Sequence, residues 1–311
     1  MKSNFTPLLL STLLAAAWLA PASAQNTPFL GRWDFTVTTE RDSFPQWMEV
    51  TEKDGSLEAR IQPRGGSVRP PAPARVEGSH LLITVSAASG NRPAQTWDLT
   101  SSGDKLTGVQ KNGEAVGAQL AGLRAPALQR AMPAAWTAPE PLFTGKDLSG
   151  WTPMGTGKSF WVAKDGDLLN EEKGANIRTA RTFDDFKLHI EVNCPEHCNS
   201  GIYLRGRYEI QVGTEGGTRP TNEMGAVYGY YAPKVEMPMG DGQWQVFDIT
   251  LVGRTVTVVR NGVTIHDQQE LAGITGGALD SREAEPGPFY LQGDHTGGLR
   301  YRNITVSVPR R

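Results

Sequence analysis

Cysteine is nearly absent from this chain: 311 residues hold only two, Cys194 and Cys198. That excludes the dense disulfide framework of small secreted domains and any closed four-cysteine zinc site. Charge of one sign is lacking too. The formal net charge is −2, so nothing favours nucleic acid or an anionic membrane as a partner. Beyond the first two dozen residues no apolar run approaches the ~20 residues that a spanning helix needs. Strand-like segments do not alternate with long helical patterns, which argues against βαβ architecture.

Turn chemistry is what the sequence has in quantity. Thirty-five glycines and 21 prolines punctuate short alternating segments, the pattern of an all-β chain. The length suggests two domains. The N-terminus differs in kind. "MKSNFTPLLLSTLLAAAWLAPASAQ" carries Lys2, an apolar run over Leu8–Leu19 and the small residues Ala22-Ser23-Ala24 before Gln25. We expect residues 1–24 to be a signal peptide and the mature protein to be periplasmic or secreted, with no membrane span after cleavage.

Export bears on "EVNCPEHCNSGIYLRGRYEIQV", residues 191–212. Cys194, His197 and Cys198 are three metal-capable side chains without a second cluster, too few for a closed zinc site. An oxidising compartment favours a disulfide instead. Residues four apart on a strand lie about 13 Å apart, whereas a disulfide needs Cα atoms within about 7 Å. Pro195-Glu196-His197 must therefore turn tightly. The expectation is a Cys194–Cys198 staple across a hairpin tip, with His197 exposed.

Residues 25–123 read as a small antiparallel β-barrel or sandwich of about seven strands, broken at "KDG", "SGN", "SSGD" and "KNG". Its "GRW" opening is similar to lipocalin-like barrels, and Trp33 is expected to be a buried anchor. No catalytic constellation occurs there, which suggests an accessory module. An Ala/Pro-rich linker follows over residues 124–141, compatible with one helical turn around Leu128. Strands resume over residues 142–309 and include "RNGVT", an Asn-Gly hairpin signal between β-branched runs. An antiparallel two-sheet sandwich fits them.

Six stretches of this second region, "LFTGKDLSGW", "FWVAKDGDL", "NSGIYLRGRYEIQV", "GAVYGYYAP", "DGQWQVFDITLVG" and "YLQGDHTGGLRYRNITV", occur in the order found in the 3-keto-disaccharide hydrolase family, which the region resembles. The resemblance implies a concanavalin-like jelly-roll sandwich and a small sugar or glycoside as partner. "CPEHC" replaces the Gly or polar turn that commonly precedes "NSGI" in that family. The implied chemistry is cleavage of a glycoside oxidised at C3, by C2 proton abstraction, loss of the aglycone and hydration. This needs a base near neutral pKa and a cation or metal for the enolate.

Strand parity selects residues for those tasks. In "FKLHIEVN" His189, Glu191 and Asn193 oppose Leu188, Ile190 and Val192. In "RYEIQV" Glu209 and Gln211 oppose Tyr208, Ile210 and Val212, and in "SGIYLRG" Tyr203 and Arg205 oppose Ile202 and Leu204. Three neighbouring strands are thus expected to share a polar face. His295 of "QGDHTGG" is the leading base with Asp294 as orienter. Arg205 is the candidate oxyanion partner, and Glu209 an acid, base or metal ligand. Glu191, Asn199, Tyr203, Gln211, Tyr228, Asp294 and Arg302 are candidate substrate contacts, although Arg302 could equally brace the last strand. No cofactor is required outright, but His295, Asp294, Glu209 and Glu191 are donors that could take a divalent metal. Two rivals stand beside this reading. A laminarinase-type glycosidase would need an E-x-D-x-x-E strand, which is absent. A non-catalytic carbohydrate-binding or adhesion module would show almost the same residues.

Overall fold

The computed structural model describes residues 28–86, 94–213 and 219–310; the leader expected over residues 1–24 lies outside them. Eight strands form the N-terminal unit: β1 (Gly31–Thr38), β2 (Ser43–Lys53), β3 (Ser56–Gln62), β4 (Ala72–Glu77), β5 (His80–Val85), β6 (Gln95–Ser102), β7 (Lys105–Asn112) and β8 (Ala115–Arg124). Each pairs with the next, and β8 returns to β1 to close a barrel. Closure leaves no exposed sheet edge, and an eight-stranded barrel is narrow enough for side chains to fill. Trp33, Phe35, Met48, Leu81, Ile83, Trp97 and Leu99 belong to the buried cluster of this unit. Trp33 is the expected anchor: it is fully buried, its Nε1 donates to Phe29 O at 2.8 Å, and the Arg124 guanidinium covers its ring at 4.1 Å. The strand that sequence reading missed is β4, hidden in the proline-rich "RPPAPARVEG".

The connection from 125 to 139 contains no helix among the described residues. Leu128 instead has φ +47, a left-handed conformation that cannot propagate a helical turn. Its carbonyl accepts Arg254 N at 3.1 Å, so the linker is pinned to the second unit.

That unit comprises β9 (Glu140–Pro141), β10 (Trp151–Pro153), β11 (Trp161–Lys164), β12 (Asp167–Asn170), β13 (Ile177–Thr179), β14 (Phe186–Asn193), β15 (Asn199–Leu204), β16 (Tyr208–Gly213), β17 (Trp244–Val252), β18 (Thr255–Arg260), β19 (Val263–Glu270), β20 (Tyr290–Leu291) and β21 (Leu299–Ser307). A five-stranded sheet runs β10-β13-β20-β15-β16. An eight-stranded sheet runs β11-β12-β21-β14-β17-β18-β19, with β9 added on β21. Ile202, Leu204, Ile210, Val212 and Leu291 of the first sheet share one core with Leu188, Ile190, Val192, Phe247, Ile249 and Val306 of the second. The chain is therefore all-β, a closed barrel followed by an antiparallel sandwich. The Asn-Gly signal is the β18–β19 turn, with Asn261 at φ +50 and Gly262 at φ +80, the conformation such a hairpin requires. "GAVYGYY" is not a strand; it makes only isolated bridges, Ile210↔Val227 and Val227↔Tyr231.

The cysteines are disulfide-bonded, with Cα atoms 5.9 Å apart and Cys198 N bonded to Pro195 O at 3.1 Å. The bond does not close a hairpin, however. β14 and β15 belong to different sheets, so Cys194–Cys198 staples the arch that carries the chain across the sandwich. His197 is exposed at its tip, with 91% of its side chain accessible.

Candidate functional site

The sheet assignment divides the sequence-derived candidates. β14 lies in the larger sheet, so Glu191 faces outward on the side of the sandwich opposite to Glu209. There it accepts Arg302 Nε at 2.7 Å and Asn303 Nδ2 at 2.7 Å. Arg302 also lies 3.8 Å over the Trp244 ring. Burial alone would raise the Glu191 pKa, but these bonds outweigh it and hold the carboxyl below its usual range. The expectation of one polar face shared by three neighbouring strands is corrected: Glu191 and Arg302 brace β14 against β21, far from the other candidates.

Arg205 is likewise displaced. It sits in the β15–β16 turn with φ +51, which breaks the strand alternation that parity assumed. Its guanidinium is fully buried and bonds Asp184 Oδ1 (3.2 Å), Tyr208 Oη (3.3 Å) and Gly253 O (2.5 Å). Tyr208 belongs to the core, so Arg205 serves the sandwich interior and not the face of Glu209.

Asn199, Tyr203, Glu209 and Gln211 share the face of the five-stranded sheet that points away from the sandwich core, where Tyr203, Glu209 and Gln211 are buried. Register sets Tyr203 opposite Glu209 and Gly201 opposite Gln211 across β15–β16, with Tyr290 of β20 beside Tyr203. Tyr203 Oη donates to Glu209 Oε2 at 2.5 Å. Its ring stacks on Tyr290 at a centroid separation of 3.8 Å and 12°, and Tyr290 Oη donates to Gly277 O at 2.5 Å. Burial, then the Glu209 charge, pushes both phenols well above their ordinary range, so both stay protonated donors. Gly201 makes room for the Glu209 carboxyl, which would collide with a Cβ there. Both backbone groups of Glu209 are also held: its N–H donates to Thr275 Oγ1 at 2.9 Å, and its carbonyl accepts Tyr228 N at 3.1 Å.

Along the same strands Gln211 Nε2 donates to Asn199 Oδ1 at 3.1 Å. Gln211 Oε1 is buried without a hydrogen-bond partner among the described residues, a costly state unless a ligand or water donates to it. Asn199 N in turn donates to Thr296 Oγ1 at 2.9 Å, which ties the 293–298 loop to this end of the sheet. In that loop His295 Nδ1 lies 2.6 Å from Asp294 Oδ1. Burial would raise the Asp294 pKa, but the bond from His295 and then its charge prevail and hold the carboxyl below its usual range. An ionised Asp294 favours the tautomer with the proton on Nδ1, which makes Nε2 the basic nitrogen. Glu209 and, more weakly, Asp294 add to the burial that raises the Tyr290 pKa.

Three residues on this face escaped sequence reading. Tyr290 and Gln292 alternate with Phe289 and Leu291 in "GPFYLQGD", a parity signal that was available. Arg178, on the three-residue strand β13, pairs in register with Tyr290 and is exposed. Such a short strand offers almost no periodicity to read. As for a metal, Glu191 is separated from the other named donors, and among the described residues no three His, Cys, Asp or Glu side chains come together to hold an ion.

Comparison with known proteins follows this geometry. Residues 138–307 match the 3-keto-alpha-glucoside-1,2-lyase-like domain. Comparison with curated proteins finds no match. Among solved structures, a Parabacteroides distasonis protein provisionally assigned as a glycosyl hydrolase is 27% identical, with TM-score 0.47, covering 57% of this chain and 92% of that one. A second such protein from the same organism is 17% identical, with TM-score 0.44, covering 55% and 92%. The matched segment is more than half of the chain and contains every strand of the sandwich, so this protein belongs to the 3-keto-alpha-glucoside-1,2-lyase-like family and is a carbohydrate-active protein of glycosidase type.

Proposed function

We propose that this is an exported enzyme that cleaves 3-keto-glycosides at the outer face of the five-stranded sheet. The observation that carries the proposal is the double tie of Asn199, to Gln211 on the strand of Glu209 and to the loop of His295. It ties the loop that carries the imidazole–carboxylate pair to the sheet that carries the phenol–carboxylate pair. The ketone at C3 acidifies the proton on C2. His295 Nε2 removes that proton, oriented through Nδ1 by Asp294, and the electron pair moves into the C2–C3 enolate. The enolate then expels the C1 oxygen with its aglycone, leaving a C1–C2 double bond. Water adds across it, hydroxyl to C1 and proton to C2, so the sum is hydrolysis. The imidazolium so formed gives its proton to the leaving oxygen, and Glu209, held as a carboxylate by the Tyr203 phenol, takes the proton of the water that adds. Arg178 replaces Arg205 as the candidate cation for the enolate, and Asn199, Gln211 and Tyr228 contact the sugar. The disulfide favours an oxidising compartment, in keeping with export.

The test is release of aglycone from a 3-keto-glucoside and from its unoxidised parent, by wild type and by His295→Ala. Wild type should cleave the keto substrate only, and His295→Ala should lose roughly 10²–10⁴-fold in kcat. Sugar binding without cleavage by wild type would sink the proposal and leave a carbohydrate-binding module.

A further inference from the structure

The family match begins at residue 138 and leaves the barrel without a task. One barrel loop, residues 63–70 between β3 and β4, reaches the two segments that flank β16. Gly65 N donates to Gly276 O at 2.9 Å, and Val68 N donates to Gly229 O at 3.2 Å. Ser67 Oγ lies 3.4 Å from the side-chain amide of Asn222. Gly276 and Gly229 are each one residue beyond Thr275 and Tyr228, the two residues that hold the backbone of Glu209. The fit is close at both ends. A Cβ on Gly276 would lie 2.9 Å from Gly66 N, and one on Gly229 2.5 Å from Ser67 Cα. Behind the loop, Trp47 of the barrel packs with Ala272 and Ile274 of the sandwich, and Val68 rests on that cluster.

We infer that the barrel is a working part of the sugar site: its 63–70 loop clamps the Thr221–Tyr231 and Ala272–Leu279 segments and so sets the position of Glu209. Gly65, Ser67 and Val68 are positioning residues, acting through Thr275 and Tyr228. The inference rests on Glu209 belonging to the proposed site. A sandwich whose clamp is loosened would keep its core and its His295–Asp294 pair, yet present the Glu209–Tyr203 pair out of register with the sugar.

The test is Gly276→Ala in the full chain. Gly276 has no left-handed φ, so the added methyl acts through its contact with the barrel loop. Leu99→Ala, inside the barrel and away from the loop, is the control for loss of stability alone. Two readouts are taken: hydrogen exchange of peptides covering 208–213 and 225–231, and kcat with its pH profile on the substrate that wild type cleaves. Gly276→Ala should speed exchange in both segments and lower kcat roughly tenfold to a hundredfold, with a displaced pH profile. Leu99→Ala should lower the melting temperature and leave kcat and the profile unchanged. The inference is overturned if Gly276→Ala speeds exchange only within the barrel loop while both sandwich segments and kcat stay as in wild type. Should Gly276→Ala not fold, Ser67→Ala carries the same readouts, because it frees the loop from Asn222 without adding an atom. If the exchange responds as expected but wild type cleaves no glycoside, the clamp stands and the sugar chemistry falls.

Discussion

Glu209 and Asp34 illustrate two ways of burying a carboxyl. Glu209 receives a phenol hydrogen bond and has its backbone fixed on both sides. Tyr203→Phe keeps the stack on Tyr290 and deletes only that bond. A hydrogen bond to a charged group contributes about 1.5–3 kcal/mol, so kcat/KM should fall roughly 10–100-fold with near-UV dichroism unchanged. Asp34 lies at the barrel–sandwich junction. Burial and the neighbouring Glu283 charge push its pKa far up, against the weaker pull of Arg254 and Arg207. The unfolded chain releases this proton above pH about 4, while the folded chain retains it. Folded Asp34 therefore binds more protons than unfolded Asp34, and stability falls as pH rises from about 4 toward the raised folded value. Asp34→Asn should raise the melting temperature more at pH 8 than at pH 5; an equal shift at both pH values would refute the assignment. Strand parity found Tyr203, Glu209 and Gln211 because β15 and β16 alternate regularly. It failed for Arg205 because one left-handed residue removes that alternation.

At the scale of elements, the arch from β14 to β15 matters most. The cysteine spacing was enough to require a tight turn, and the turn exists. It could not say whether the flanking strands were neighbours in one sheet or faced each other across a core. They face each other, which is why Glu191 left the site. Closing so short a loop stabilises by about 2 kcal/mol in the chain-entropy account. Reduction should lower the urea-unfolding free energy by about that amount while the all-β far-ultraviolet dichroism persists. The β18–β19 hairpin was legible because Asn-Gly chemistry is local. β4 and β13 were not, because prolines disguise one and three residues are too few to show a period.

At the scale of the whole molecule, apolar packing and the Arg32–Glu270 ion pair at 2.7 Å join barrel to sandwich. Trp47 packs into Ala272 and Ile274, and losing so large a buried ring costs about 3–5 kcal/mol. Trp47→Ala should convert a single calorimetric unfolding transition into two, barrel and sandwich separately. Within the sandwich, Glu283 accepts Tyr208 Oη at 2.6 Å and Arg254 Nη2 at 2.7 Å, and Arg254 also donates to Pro126 O of the linker at 2.8 Å. Both members of that ion pair are buried. Arg254→Met should destabilise by about 3–5 kcal/mol, because it strands the Glu283 charge; chemical denaturation measures it. The same junction brings the barrel loop onto Gly229 and Gly276, the contacts on which the inferred link between domain docking and Glu209 rests.

The sequence by itself determined the all-β class, the two units, the buried Trp33, the turn between the cysteines and the outward face of β15 and β16. Each of these is written in composition, in a period of two or in the chemistry of a few adjacent residues. Only the tertiary structure decided which strands are neighbours, and hence that Glu191 and Arg302 stand on the far sheet while Tyr290 and Arg178 join the near one. It also brought residues 63–70 against residues more than 150 positions away. Contacts of that separation depend on how two sheets and a barrel pack, and no local pattern encodes them.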